Sequence, residues 1–297
     1  MEASNAMSHI NLCEFVDRQC NIYDFIVHSF TNAASIVINA LHLLVLLKIP
    51  RVRESNYFWI LLNLTLGDVA MSLAVILLVN CNIWYSRNCF IIVGSYAFGG
   101  CAFQVRYWLL TLAVLDRYYA VCKPFQYTTS KFINNIGKLA AVAWLLCAIL
   151  SSALNILNHF HLDSVLSEIT NYLRVALIIT AVLPSVVSTV LLIRIAVELQ
   201  RMKQLRNMSV EDQETRSATR YIIFVFVMFY VSLVPSLVNA GMGPGNSFTW
   251  LPSLALFTHF LYGIGNVVLY GVLNKAYVAK VKSICGSLCP VRKVSPQ

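Results

Sequence analysis

Seven long apolar segments constrain this chain more than any other feature of its sequence. A helix needs about 20 mainly apolar residues to cross a bilayer, and charged residues make up only 12% of the chain, against about 25% in a soluble domain. The sequence therefore predicts an all-α integral membrane protein, built as one seven-helix bundle over residues 25–273. The predicted helices are Phe25–Ile49, Tyr57–Val79, Phe90–Cys122, Gly137–Leu157, Tyr172–Val197, Ala218–Asn239 and Trp250–Leu273.

The two ends of the chain fall outside the predicted bundle. Residues 1–24 contain no apolar run of the kind found at the centre of a signal peptide, so the first helix is expected to act as the insertion signal. Residues 274–297 begin with apolar and basic residues at helical spacing, which predicts a short amphipathic helix in the membrane interface. Cys285 and Cys289 at its end are candidates for S-acylation, with two unmodified thiols as the alternative.

The formal net charge of +9 is mainly a signal of topology. Most lysines and arginines follow the first, third, fifth and seventh apolar segments, whereas Arg18, Arg87 and Arg174 fall on the other side. The positive-inside rule then predicts an extracellular N-terminus and a cytoplasmic C-terminus. The basic residues also favour contact with anionic membrane lipid, and their distribution argues against nucleic-acid binding.

A charged pair, Asp116-Arg117, stands with Tyr118 near the end of the third apolar segment. Such a pair is costly there unless the charges have partners or reach water. The three residues resemble the Asp-Arg-Tyr signature of rhodopsin-like G-protein-coupled receptors, in which the arginine holds or releases the cytoplasmic helix ends and then contacts the G protein. The alternative is a charge pair that only fixes the depth of the helix.

The resemblance covers about residues 25–289 and extends beyond this signature. The run from Asp116 to Tyr127 looks most like odorant receptors, and the runs 52–57 and 62–68 are similar to the divergent odorant-receptor-like group of fishes. The resemblance implies a chemosensory receptor of the plasma membrane, with a small-molecule ligand and a heterotrimeric G protein as partners. A lipid or peptide receptor of the same family, or a seven-helix channel or transporter, is the alternative.

Two further motifs depart from the family pattern. Asn266 and Tyr270 match the first and last residues of the family's Asn-Pro-x-x-Tyr motif, but Val267 replaces its proline. The resemblance still implies that Tyr270 moves inward on activation. Leu233 stands where the family usually has a tryptophan. Asn39 matches the family's buried asparagine of helix one, which bonds across to helix two.

Arg106 lies eleven residues before Arg117, about three helical turns, so both are expected to face the bundle interior. In the family the matching place holds a small polar residue, which binds a sodium ion together with a helix-two acid and a helix-seven asparagine. Here the acid is Asp68 and the asparagine is Asn266. The sequence predicts an Arg106–Asp68 salt bridge that fills this sodium site. The alternative is a rotated helix on which Arg106 has another partner.

The outer half of the bundle is expected to bind an uncharged ligand. Gly99 occupies the place of the acid in amine receptors, and Phe260 that of the lysine in light-sensing receptors. Apolar cavities with a few polar groups are typical of small-molecule sites, although each polar residue is as well explained by interhelical bonding. The candidate ligand contacts are Tyr96, Gly99, Gly100, Phe103, Gln104, Thr180, Ser236, Asn239, His259 and Tyr262.

The family resemblance implies an external disulfide between the start of helix three and the second external loop. That loop, predicted at 158–171, contains no cysteine in this sequence. Extracellular thiols tend to be oxidised, which leaves Cys13, Cys20, Cys81 and Cys89 as candidates with three possible pairings. The sequence contains no metal-ligand spacing, cofactor motif or nucleophile constellation. We therefore expect neither metal, cofactor nor enzymatic activity.

Overall fold

The structure is a computed structural model that describes residues 22–53, 55–84, 89–127, 129–159, 164–204, 210–241 and 251–288. Cys13, Cys20 and Cys289 lie outside these residues. The side chains of Cys81, Cys89, Asn239 and Cys285 are also outside what the structure describes.

Eight long helices form the described part of the chain. They are α1 (Ile22–Leu47), α2 (Asn56–Trp84), α3 (Cys89–Cys122), α4 (Ile136–His159), α5 (Ser164–Gln204), α6 (Val210–Gly241), α7 (Leu251–Leu273) and α8 (Lys275–Leu288). Single helical turns at Pro50–Arg53, Pro124–Tyr127 and Lys131–Asn134 lie in the connections. Within the described ranges, α1 to α7 are long and apolar enough to cross a membrane, which confirms the predicted all-α bundle.

Two helices extend well beyond their predicted ends. The chain is already helical from Ser164, where the sequence predicted a connection up to residue 171, and α5 continues to Gln204. The next helix begins at Val210. Hydropathy marks the part of a helix that lies in lipid, whereas backbone hydrogen bonds can continue into water. Residues 198–204 and 210–216 are therefore polar helical extensions of α5 and α6.

The third helix is the centre of the bundle. Val105, Ala113 and Val114 are fully buried in it, and α3 packs against α2, α4, α5 and α6. A transmembrane helix surrounded by others can carry polar side chains that a lipid-facing helix cannot. This position explains how α3 accommodates both Arg106 and Arg117.

Polar contacts join neighbouring helices of the bundle at several depths. Thr111 Oγ1 lies 2.8 Å from Ser188 Oγ and donates to the Pro184 carbonyl at 3.2 Å. Trp144 Nε1 of α4 donates to Asn63 Oδ1 of α2 at 3.2 Å. Such interhelical bonds fix the packing of helices in lipid, where apolar burial alone does not select one arrangement.

Candidate functional site

The Asp116-Arg117 pair lies buried at the C-terminal end of α3. Arg117 Nε donates to Asp116 Oδ2 at 2.8 Å, and Nη2 donates to the same oxygen. The Tyr127 hydroxyl donates to Asp116 Oδ1 at 3.0 Å, so both carboxylate oxygens are occupied. Tyr118 takes no part in this cluster, and its ring lies 5.9 Å from Lys123 Nζ.

The guanidinium of Arg117 lies against an aromatic face of a second helix. Its Cζ is 4.4 Å from the centre of the Tyr57 ring of α2. A cation over an aromatic face is attracted electrostatically, more strongly where water is excluded. Burial raises the pKa of the Tyr127 phenol, and the negative charge of Asp116 raises it further. Tyr127 therefore stays protonated and remains a donor to Asp116.

A second buried ion pair joins α3 to α2. Arg106 Nη2 donates to Asp68 Oδ1 at 2.8 Å, and both side chains are almost fully buried. Asn266 Nδ2 of α7 donates to Asp68 Oδ2 at 2.9 Å. The salt bridge predicted from the sequence is therefore present, and both oxygens of Asp68 have a protein donor.

An aromatic ring of α7 also contacts Arg106. Its Cζ lies 5.2 Å from the centre of the Tyr262 ring of α7. Within the described residues, Arg106 Nε and Nη1 have no hydrogen-bond partner. The guanidinium of Arg106 on α3 therefore neutralises the carboxylate of Asp68 on α2.

The helix-seven asparagine continues this polar contact toward α6. The Tyr221 hydroxyl of α6 donates to Asn266 Oδ1, while the amide of the same side chain donates to Asp68. Arg106, Asp68, Asn266 and Tyr221 therefore form a continuous buried chain of polar contacts across α3, α2, α7 and α6. We call these four residues the polar chain.

Tyr270 packs among aromatic rings from three helices. The ring centres of His42, Tyr221 and Tyr277 lie 5.3, 5.2 and 5.2 Å from that of Tyr270. The Tyr270 hydroxyl accepts a hydrogen bond from Asn274 Nδ2 at 3.0 Å. Tyr277 also lies 2.9 Å from His42 Nδ1, so α8 is held against α1.

Asn39 does not make the contact that the family resemblance implied. Its amide donates to the Ser35 carbonyl of its own helix at 2.9 Å, and among the described residues no hydrogen bond joins its side chain to α2. Ser72 of α2 instead donates to Ser35 Oγ at 2.9 Å. A serine pair therefore joins α1 to α2 at this depth, while Asn39 lies beside Gly263 of α7.

Comparison with known proteins identifies this arrangement. The family model of the seven-transmembrane receptors of the rhodopsin family matches residues 38–269, which include the polar chain and the Asp116-Arg117 pair. The chain belongs to this receptor family. It is also similar to human olfactory receptor 2H1, with 26% identity over 168 residues, or 51% of each chain. The receptor thus spans about half the length of the curated relative that it matches.

Part of the predicted ligand set comes together in the interior of the receptor. Gln104 Nε2 of α3 donates to Thr180 Oγ1 of α5 at 2.6 Å and to the Leu177 carbonyl at 3.0 Å. The rings of Phe103 and His259 meet edge to face, with centres 5.6 Å apart. Phe103 and Gln104 lie within one helical turn of Arg106, on its N-terminal side in α3.

Other members of that set lie elsewhere. A side chain at Gly99 would contact Ala74 and Leu78 of α2, and one at Gly100 would contact Ser151 of α4. Both glycines therefore allow close helix packing at these places. Tyr96 is exposed, Ser236 is half-buried, and Tyr262 contacts Arg106. A role for any of these residues in ligand binding stays a prediction.

The sequence did not reveal the residues that complete the two charged clusters. Tyr57 and Tyr127 surround the Asp116-Arg117 pair, and Tyr221 ends the polar chain, yet none was a candidate. Tyrosine is common near the ends of membrane-spanning helices, so the residue type alone did not single out these three positions. Cys101, Cys122 and Cys147 are free thiols, and the described residues hold no cluster of ligands that suits a metal ion.

Proposed function

We propose that this receptor is chemosensory, binds a small and largely uncharged organic ligand, and activates a heterotrimeric G protein. The buried Asp116-Arg117 pair carries the coupling half of this proposal. Arg117 is held by Asp116 and Tyr57, contacts that a helix rearrangement can exchange for contacts with a bound protein. The similarity to an olfactory receptor supports the chemosensory half.

The proposed orientation places the α8 end of the bundle in the cytosol and the N-terminus outside the cell. The excess of lysine and arginine after the first, third, fifth and seventh helices supports it. The Asp116-Arg117 pair and α8 are then at the cytoplasmic face of the plasma membrane, where a G protein is available.

The charges inside the bundle argue for an uncharged ligand. Among the side chains that the structure describes, the buried carboxylates are Asp68 and Asp116, and each is paired with an arginine. A charged ligand would enter a region without a free counter-charge, which is costly. Gln104, Thr180 and His259 instead provide neutral hydrogen-bonding groups among apolar side chains.

The test is expression in cultured cells with cyclic-nucleotide and calcium readouts against a panel of volatile organic compounds. We expect uncharged members of the panel to give concentration-dependent responses that untransfected cells lack. Responses to lipids or peptides alone would favour the other receptor classes. An ion current or solute flux without any G-protein signal would indicate a channel or transporter.

A further inference from the structure

Two hydroxyl groups attach α6 to α7 in the half of the bundle nearer α8. Ser217 Oγ donates to the Leu273 carbonyl at 2.5 Å, and the Tyr221 hydroxyl donates to Asn266 Oδ1. Ser217 and Tyr221 are four residues apart and therefore lie on one face of α6. We call these two residues the hydroxyl pair.

The contacts of Arg117 do not hold α6. Its hydrogen bonds to Asp116 stay within its own helix, and its ring contact is with Tyr57 of α2. The hydroxyl pair thus provides a polar attachment of α6 to α7 that the arginine of the signature does not provide.

Asn266 connects this attachment to the buried ion pair. Its amide nitrogen donates to Asp68 Oδ2 at 2.9 Å, and its oxygen accepts from Tyr221. Reversing the amide would place its oxygen against a carboxylate, which is repulsive. Asp68 therefore fixes the amide orientation, and that orientation presents the acceptor to Tyr221.

We propose that the hydroxyl pair holds α6 against α7 in the inactive receptor, and that Tyr221 links α6 to the Asp68–Arg106 ion pair through Asn266. Hydrogen bonds present in only one of two conformations shift the population toward it. Tyr221 and Ser217 are then positioning residues, which act on coupling without contacting ligand. The signalling part of this proposal rests on the proposed G-protein coupling, whereas the structural part does not.

The test uses Tyr221→Phe and Ser217→Ala, each of which removes one hydroxyl group and no carbon atom. Thr219→Val is the matched control, because Thr219 is buried in the same turn and, among the described residues, its hydroxyl donates within α6, to the Thr215 carbonyl at 2.7 Å. Ligand-independent G-protein activation is measured per receptor at the cell surface. The separation of labels at the exposed positions 220 of α6 and 275 of α8 is measured in purified receptor.

We expect Tyr221→Phe to raise basal activity about fivefold, or about 1 kcal/mol in the balance of states at 1.4 kcal/mol per tenfold. Ser217→Ala should act in the same direction, and both should lengthen the separation between the labels. Thr219→Val should change neither. Ser217 is half-buried, so its variant provides a second test if Tyr221→Phe is poorly expressed.

Basal activity and label separation equal to those of Thr219→Val would overturn the proposal. A lengthened separation in a receptor that activates no G protein, even with agonist, would support the hydroxyl pair and contradict the coupling function. The two failures are therefore distinguishable.

Discussion

The ion pair between Asp68 and Arg106 predicts that its two partners respond differently to mutation. Asp68→Asn leaves a buried guanidinium, which cannot lose its proton in a protein. Arg106→Ser leaves a carboxylate that still accepts a hydrogen bond from Asn266 and can be neutralised by a proton. We therefore expect Asp68→Asn to lower surface expression and thermal stability more than Arg106→Ser.

The distance between the two charges sets the magnitude. At 2.8 Å the Coulomb energy is about 6 kcal/mol for an effective dielectric constant near 20. Desolvation of each ion costs several kcal/mol, so the intact pair contributes little net stability. Removing the carboxylate is different, because the lone charge that remains destabilises the fold by about 3–5 kcal/mol. That is a large part of the 5–15 kcal/mol that typically stabilises a protein.

The assay is surface labelling of an N-terminal tag, combined with thermal unfolding of the purified receptor. The charge swap of Asp68→Arg with Arg106→Asp should recover part of the expression lost in Asp68→Asn. The recovery should be partial, since Asn266 must then reverse its amide to face an arginine. Wild-type stability of Asp68→Asn, or no recovery in the swap, would refute the reasoning.

The same pair predicts how the receptor responds to sodium. In the wild type, the guanidinium of Arg106 stands against Asp68, so agonist affinity should not depend on sodium concentration. Arg106→Ser restores the small polar residue of the family beside Asp68 and Asn266, and should introduce a sodium dependence. A sodium-dependent agonist affinity in the wild type would contradict the prediction that the Arg106 guanidinium occupies the place of the sodium ion.

Three further predictions concern the ends of the bundle. Arg117→Ala should abolish G-protein activation in a receptor that still reaches the surface, because the proposed coupling requires this charge at the face that meets the G protein; undiminished signalling would disprove this role. Mass mapping of non-reduced peptides should find Cys81 or Cys89 bonded to a cysteine of residues 1–24, whereas free thiols at both would exclude the bridge. A palmitate analogue should label Cys285 or Cys289, and label that persists in the double serine variant would place the lipid elsewhere.

The sequence was sufficient for the helices and for the buried ion pair, for a common physical reason. Lipid requires long apolar segments, and a charge at the depth of Arg106 needs a partner, of which Asp68 was the one available. Both inferences follow from the cost of placing polar groups in hydrocarbon. That cost is large enough that a single residue, such as Arg106, is sufficient to predict a buried partner.

The sequence did not predict hydrogen bonds for which several partners have similar interaction free energies. The sequence allowed Asn39 a partner on its own helix or on α2, and it bonds to Ser35. The contact of Tyr221 with Asn266 joins residues 45 positions apart, and helical periodicity holds no information about such a pair. Interhelical hydrogen bonds in membranes are worth only about 0.6–2 kcal/mol, so their choice depends on the final packing.

The most direct measurement is guanine-nucleotide exchange on a purified G-protein heterotrimer, with this receptor reconstituted in lipid nanodiscs. An active compound from the cell-based panel should accelerate exchange, and the Arg117→Ala receptor, matched in amount and folding, should not. Exchange that the compound leaves unchanged, in a reconstituted receptor shown to bind it, would contradict G-protein coupling.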